Sequence, residues 1–206
     1  IKAPVIPGHE FIGHVVEIGP NVDEYAHHGD TAFELGDRVI SEQIVPTWTD
    51  LFSTTGRYWM DERHYVYGFQ YDVNGGFAEY MKFPKEAINY KVPKDIPTEK
   101  AVLIEPYACS KHGVDRAKIG SEDVVVISGA GVIGLGMIGA AGMRNPKTLV
   151  VLDLNDDRLK KAKEFGADIV MNPSKEDVVG RIKEMTVGYG CDIYIEVSGH
   201  PASVRQ

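Results

Sequence analysis

The stretch Val124-Val125-Val126-Ile127-Ser128-Gly129-Ala130-Gly131-Val132-Ile133-Gly134, with Asp153 beyond it, decides how this chain is built. Val124–Ile127 reads as a short, fully apolar strand, and Leu135–Met143 as a helix of small residues. Between them the glycines satisfy G-x-G-x-x-G. Gly129 permits a tight turn, Gly131 lets backbone N–H groups approach a pyrophosphate, and Gly134 lets the helix pack against the strand. The helix start, Val132 and Ile133, offers free N–H donors and a partial positive charge to phosphates. A second apolar run, Leu149–Leu152, ends in Asp153, 19 residues past Gly134. A carboxylate there accepts hydrogen bonds from an adenosine ribose. An ordinary glycine-rich turn explains the loop alone. Strand, loop, helix and distal acid in series point to a dinucleotide site.

The rest of the composition narrows the setting. The 206 residues suffice for two domains with real cores. The net charge of -8 opposes binding to nucleic acid or to an anionic membrane surface. The two cysteines, Cys109 and Cys191, make no disulfide framework, are expected as small core residues, and fit a reducing, cytoplasmic compartment. Val124–Met143 is uncharged over 20 residues but holds six glycines, so it reads as strand plus helix and not as a membrane span. No secretory signal is visible. Without an initiator methionine, and with Gln206 following helical Pro201–Val204, the chain is expected to be an internal fragment of a longer enzyme.

Up to about residue 97 the pattern is β-rich. Strands are expected at Phe11–Ile18, Asp37–Ile40, Phe77–Phe83 and Ile88–Val92, in a partly open barrel or sandwich. Ile44–Val73 is aromatic and irregular, and reads as a functional lobe packed by Trp48, Tyr58, Trp59 and Tyr67. Thr98–Ile104 is expected as a helix capped by Thr98, with a second near Cys109–Lys118. Strands at Val124–Ser128, Leu149–Leu152, Ile169–Val170 and Ile193–Val197 then alternate with helices at Val132–Met143, Asp156–Phe165 and Lys175–Thr186. That alternation implies a doubly wound parallel sheet, here with four of its strands.

A second constellation carries different chemistry. Pro7-Gly8-His9-Glu10 opens the first expected strand. Neighbours on a regular strand face opposite ways, so His9 and Glu10 share a site only if Pro7-Gly8 bends the backbone. Glu105 follows an apolar helical run, where a carboxylate needs a partner. An imidazole with carboxylates suits Zn²⁺, and an open position makes such a site catalytic. The expectation is that His9, Glu10 and Glu105 converge, with Pro106 ending the Thr98–Ile104 helix at an interdomain cleft and turning the chain away. His27 and His28, in the Glu24–Thr31 loop, read as solvated, and nothing in the spacing of His64 or His112 gives them a role.

Pro-Gly-His-Glu-Phe-x-Gly (7–13), Gly-Asp-Arg-Val (36–39), Gly-Gly-Phe-Ala-Glu-Tyr (75–80), Glu-Pro (105–106) and Gly-Ala-Gly-Val-Ile-Gly (129–134) occur in that order. The chain thereby resembles the zinc-dependent medium-chain alcohol dehydrogenases, and among them the polyol (sorbitol-like) and threonine dehydrogenases. The resemblance spans essentially the whole chain. It implies a GroES-like β-barrel domain at 1–115 and a partial Rossmann domain at 116–206. It also implies NAD, a catalytic zinc, a small alcohol or polyol substrate, and a dimer or tetramer when intact. His9 matches the zinc-binding histidine, Glu10 the acid beside it, and Glu105 a glutamate of the polyol enzymes. Ile133, Asp153 and Arg158 match cofactor contacts.

Two departures from the family pattern matter. Its first zinc ligand is a cysteine that would precede Ile1. Its structural zinc uses four cysteines spaced by 3, 3 and 8, where this chain has Thr47, Asp50, Ser53 and Asp61. Oxygen ligands select zinc poorly, so no structural zinc is expected, and the lobe should be more mobile than the barrel. Two other readings stay open: a metal-free quinone- or enoyl-type reductase on the same fold, and a nucleotide-binding fragment without catalysis.

Overall fold

Gly13–His14 (β1), Arg38–Ser41 (β2) and Asn89–Lys91 (β5) form an antiparallel sheet in the order β1-β2-β5. Ile44–Val45 (β3) pairs with Tyr65–Val66 (β4). The computed structural model describes residues 3–20, 22, 29–70 and 72–205; His27 and His28 lie outside them. By Cα proximity the chain divides into two compact units, Ile1–Glu105 and Pro106–Gln206.

In the first unit β2 is buried along its whole length and lies between its two partners. Ile40, Val92 and Ala101 form one small core, and Val45, Tyr67, Val73 and Ala87 another. The strands are shorter than the alternation predicts. Pairing near Phe11–Ile18 runs only through Gly13, His14 and Val15, and Val16 is exposed. The expected strand Phe77–Phe83 does not form. Among the described residues it has no partner strand, and Phe77 and Tyr80 are exposed. A period-2 pattern gains no strand without a neighbour to bond, and the backbone bends at residues 76–79 instead.

The helical connection also differs. Thr98 is the first residue of the Thr98–Ala101 helix, and Pro97, not Thr98, is its N-cap. The next helix, Ile104–Ala117, starts five residues before the expected Cys109. Pro106 therefore sits in its first turn instead of ending a helix, because a first-turn N–H has no intrahelical acceptor to lose.

The second unit holds Val124–Ser128 (β6), Thr148–Leu152 (β7), Ile169–Met171 (β8) and Ile193–Glu196 (β9), all parallel, in the order β8-β7-β6-β9. Numbered from its own first strand this is 3-2-1-4, the order of a dinucleotide-binding half-sheet and its switch strand. Both faces are covered. Val125, Ile127, Leu149 and Val151 pack with Val114, Ile138 and Ala162, while Val126, Val150 and Leu152 pack with Val178 and Ile182. The helices run Val132–Gly142, Asp156–Glu164 and Val178–Met185, the last three residues later than its pattern starts because Asp177 caps it through Gly180 N. Cys109 is not a core residue: it is exposed on the Ile104–Ala117 helix. Cys191 is half-buried against the Val126–Val150 cluster, and burial pushes its thiol up. Among the described residues no helix is long and apolar enough to cross a membrane.

Candidate active site

His9 and Glu10 lie in irregular backbone just before β1. Three backbone bonds seat that segment: Gly75 N donates to Ile6 O (2.7 Å), Gly76 N to Gly8 O (2.9 Å) and Phe77 N to Pro7 O (3.0 Å). Gly8 has φ +98°, a bend that glycine adopts without a Cβ penalty. Gly75 passes so close that a Cβ there would stand 2.2 Å from Gly8 O. The Gly75-Gly76-Phe77 motif is thus the bed on which the His-Glu pair rests. The ring of Phe69 packs on His9, centroids 5.7 Å apart. Glu105 comes from the first turn of the Ile104–Ala117 helix. Each of the three offers one ligand atom, and these atoms all lie within 4.8 Å of one another. His9 and Glu105 are half-buried and Glu10 is exposed. The convergence expected from sequence is present, although a bend in irregular chain and a helix start produce it instead of a strand and a helix end.

The glycine turn lies at the carboxyl end of β6, beside β9, where the strand order reverses. Gly129 (φ +116°) nearly touches the exit of β9: a Cβ would stand 2.8 Å from Ser198 N. A Cβ on Gly134 would stand 2.0 Å from Gly129 O. Gly131 is different, because a Cβ there meets nothing within 4 Å. Gly131 caps the Val132–Gly142 helix, and no side chain occupies the cap. Donors and empty space therefore coincide at Gly131, Val132 and Ile133, which is what a pyrophosphate requires. Asp153 is largely buried. Its Oδ2 accepts from Ala130 N (2.7 Å) and its Oδ1 from Asn155 N (2.8 Å), with an Arg158 nitrogen 3.9 Å away.

The β9 exit was missed from sequence. Glu196 accepts from Ser198 N and Oγ and from Gly199 N; the Ser198 hydroxyl is the main cause that holds its carboxyl below the usual range. Ser128 Oγ meets Ser203 Oγ at 2.6 Å, and Tyr194 OH donates to Ser203 O. The signal available was Glu196 closing an otherwise apolar strand, with the turn-forming pair Ser198-Gly199 just beyond it.

Thr47, Asp50, Ser53 and Asp61 do not merely stand at knuckle spacing. Thr47 N and Oγ1 donate to Asp61 Oδ2 (2.6 and 2.8 Å), and Ser53 N and Oγ donate to Asp50 Oδ1 (both 2.7 Å). Ser53 and Asp61 are buried. Hydroxyl–carboxylate pairs thus link the four positions two by two. The aromatic packing expected there is also found: Tyr58 lies against both Trp48 and Trp59, and Trp48 Nε1 donates to Glu86 O.

Residues 1–94 match the alcohol dehydrogenase GroES-like domain, and residues 132–206 match the zinc-binding dehydrogenase domain. The chain belongs to the zinc-type medium-chain alcohol dehydrogenases. It is 48% identical over 202 residues to the erythritol/L-threitol dehydrogenase of Mycolicibacterium smegmatis, covering 98% of this chain and 54% of that relative. The crystal structure of 2R,3R-butanediol dehydrogenase from Bacillus subtilis superposes with a TM-score of 0.81 at 35% identity, covering 100% of this chain and 55% of that one. A zinc-binding dehydrogenase structure from Sinorhizobium meliloti 1021, solved with NADP, gives 0.87 at 29% identity, over 98% and 57%. The chain spans about half the length of these relatives. For this medium-chain dehydrogenase chain the residues present fit both groups that the family uses. One imidazole and two carboxylates form a donor set suited to zinc. Gly131 leaves the room and the uncapped helix start that a dinucleotide needs.

Proposed function

We propose that the polypeptide containing this chain oxidises a secondary alcohol, of polyol type, with NAD and with the help of zinc. The observation that carries this reading is the meeting of His9, Glu10 and Glu105 ligand atoms within 4.8 Å. Residues 1–115 form the metal-holding part and 116–206 the dinucleotide-holding part. His9 supplies a neutral nitrogen donor. Glu10 and Glu105 act as ligands or as hydrogen-bond partners that orient what the metal carries. When bound, zinc supplies Lewis-acid polarisation of the alcohol oxygen, and NAD supplies the hydride acceptor.

The chain's own residues do the placing. N–H groups at the start of the Val132–Gly142 helix receive the pyrophosphate, and Gly131 keeps the space open. Asp153 accepts from the ribose diol and repels a 2′-phosphate, which favours NAD, while Arg158 lies against the same ribose. The erythritol/threitol relative supports a short polyol as substrate. By family resemblance the enzyme is cytoplasmic and assembles as a dimer or tetramer.

The test uses the complete polypeptide: zinc by elemental analysis, and NAD reduction with erythritol, threitol, sorbitol and butanediol. The expected result is one zinc near His9 and alcohol-dependent NADH formation that a chelator abolishes. Oxidation that survives full zinc removal would establish the metal-free reductase reading instead. Dinucleotide binding without any turnover would leave only a nucleotide-binding role.

A further inference from the structure

A recess of about 300 Å³ on the first unit is lined by His14, Gly36, Arg38 and Lys94, none of which belongs to the cluster around His9. We propose that it binds a small oxyanion: inorganic phosphate or the phosphate group of a small ester.

Backbone geometry brings the three basic side chains together. His14 and Arg38 are direct partners across the antiparallel β1–β2 pair, so their side chains leave the sheet side by side on one face. An Arg38 guanidinium N–H donates to Pro93 O, which draws the next residue, Lys94, to the same place. Val92 N donates to Arg38 O and fixes the other end of that turn. The floor is clear, since a Cβ on Gly36 would meet nothing within 4 Å.

Among the described residues no close ion pair answers the charge there, although Asp37 feels the field of Lys94. Arg38 is only 8% exposed, and its Nε has no hydrogen-bond partner. Among the described residues no carboxylate makes an ion pair with His14, Arg38 or Lys94. Asp37, the nearest in sequence, makes its close contacts elsewhere, pairing with Lys91 at 2.8 Å and accepting from Glu34 N, and reaches Lys94 only through its longer-range field. A buried guanidinium without a close counter-charge is costly. An oxyanion offsets that cost, because it brings negative charge beside the guanidinium while exposed Lys94 supplies a point charge to hold it. General attraction does not explain the cluster, since the chain carries a net charge of -8.

The experiment titrates inorganic phosphate into the complete polypeptide by calorimetry in chloride buffer, with added chloride at equal ionic strength as the blank. Titrations are run with and without saturating NAD, because the glycine turn is a second place where phosphate can bind. The expected result is saturable phosphate binding that survives NAD, competes with sulfate, and weakens about tenfold in Lys94→Met and again in His14→Gln. Both residues are exposed, so melting in chloride should be unchanged, and the control Lys183→Met, on the second unit, should bind as wild type. Heat no larger than the chloride blank would overturn the proposal. So would binding that NAD displaces, or binding that both substitutions leave intact.

Discussion

Glu105 shows what a single carboxylate contributes when the chain brings it 95 residues from its partner Glu10. Glu105→Gln keeps the shape and removes the charge. On the reading proposed here, zinc affinity should fall at least about tenfold, with the fold intact. Competition against a calibrated chelator measures this, and unchanged affinity would remove Glu105 from the site. Gly75 acts only by what it lacks. In Gly75→Ala the new methyl would press on Gly8 O, 2.2 Å away, and on Pro7 O, 2.5 Å away. Backbone cannot give way as a side-chain tip can, so Pro7-Gly8 must shift and carry His9 with it. Expected are a stability loss of about 1–3 kcal/mol by denaturant melt and a loss of bound zinc. A stable variant with full zinc would show that the bed is not needed.

At the scale of elements, the lobe between β3 and β4 holds together by hydrogen bonds that sequence spacing alone did not reveal. Ser53's two donors are the leading cause that holds the Asp50 carboxyl below the usual range. Burial pushes Asp61 up, but donors from Thr47 and Arg63 outweigh it and hold it low. Groups with depressed folded-state values stabilise fully above the unfolded carboxylate range and lose that contribution as pH falls through the folded value. The lobe should therefore stay closed at pH 5 and open as pH falls below about 4, the ordinary carboxylate value. Limited proteolysis across that range tests it; cleavage independent of pH would be the contrary result. Thr47→Val leaves Asp61 one donor short and should cost about 1–3 kcal/mol locally. Elsewhere the elements divide by what sequence can carry. β6 and β7 were legible because an apolar run buried on both faces needs no knowledge of its neighbours, and β8 and β9 followed from the strand–helix alternation. Phe77–Phe83 was not, because alternation states which face is apolar but not whether a partner strand exists. Pro106 was misread for a related reason: the same residue ends one helix or begins another, and only the hydrogen bonds decide.

At the largest scale the chain comprises two units with separate cores, and on the proposed reading each holds its own ligand. NAD should then stabilise the second unit by mass action, about 2.7 kcal/mol at a hundredfold excess over Kd. A chelator should weaken the first. Hydrogen exchange read by segment distinguishes them: NAD slows 129–135, and metal removal speeds 5–12. Uniform changes along the chain would contradict that division. The convergence of His9, Glu10 and Glu105 was legible as a list of residues, while the means of convergence was not. One feature also bears on redesign. Asp153 holds the Ala130 N–H and the Asn155 N–H at once, so the group that would discriminate between dinucleotides is also the tether of the phosphate loop. An engineer who swaps it for a small neutral residue to admit NADP would release the loop in the same step. A successful conversion must supply a new acceptor for Ala130 before it removes the old charge.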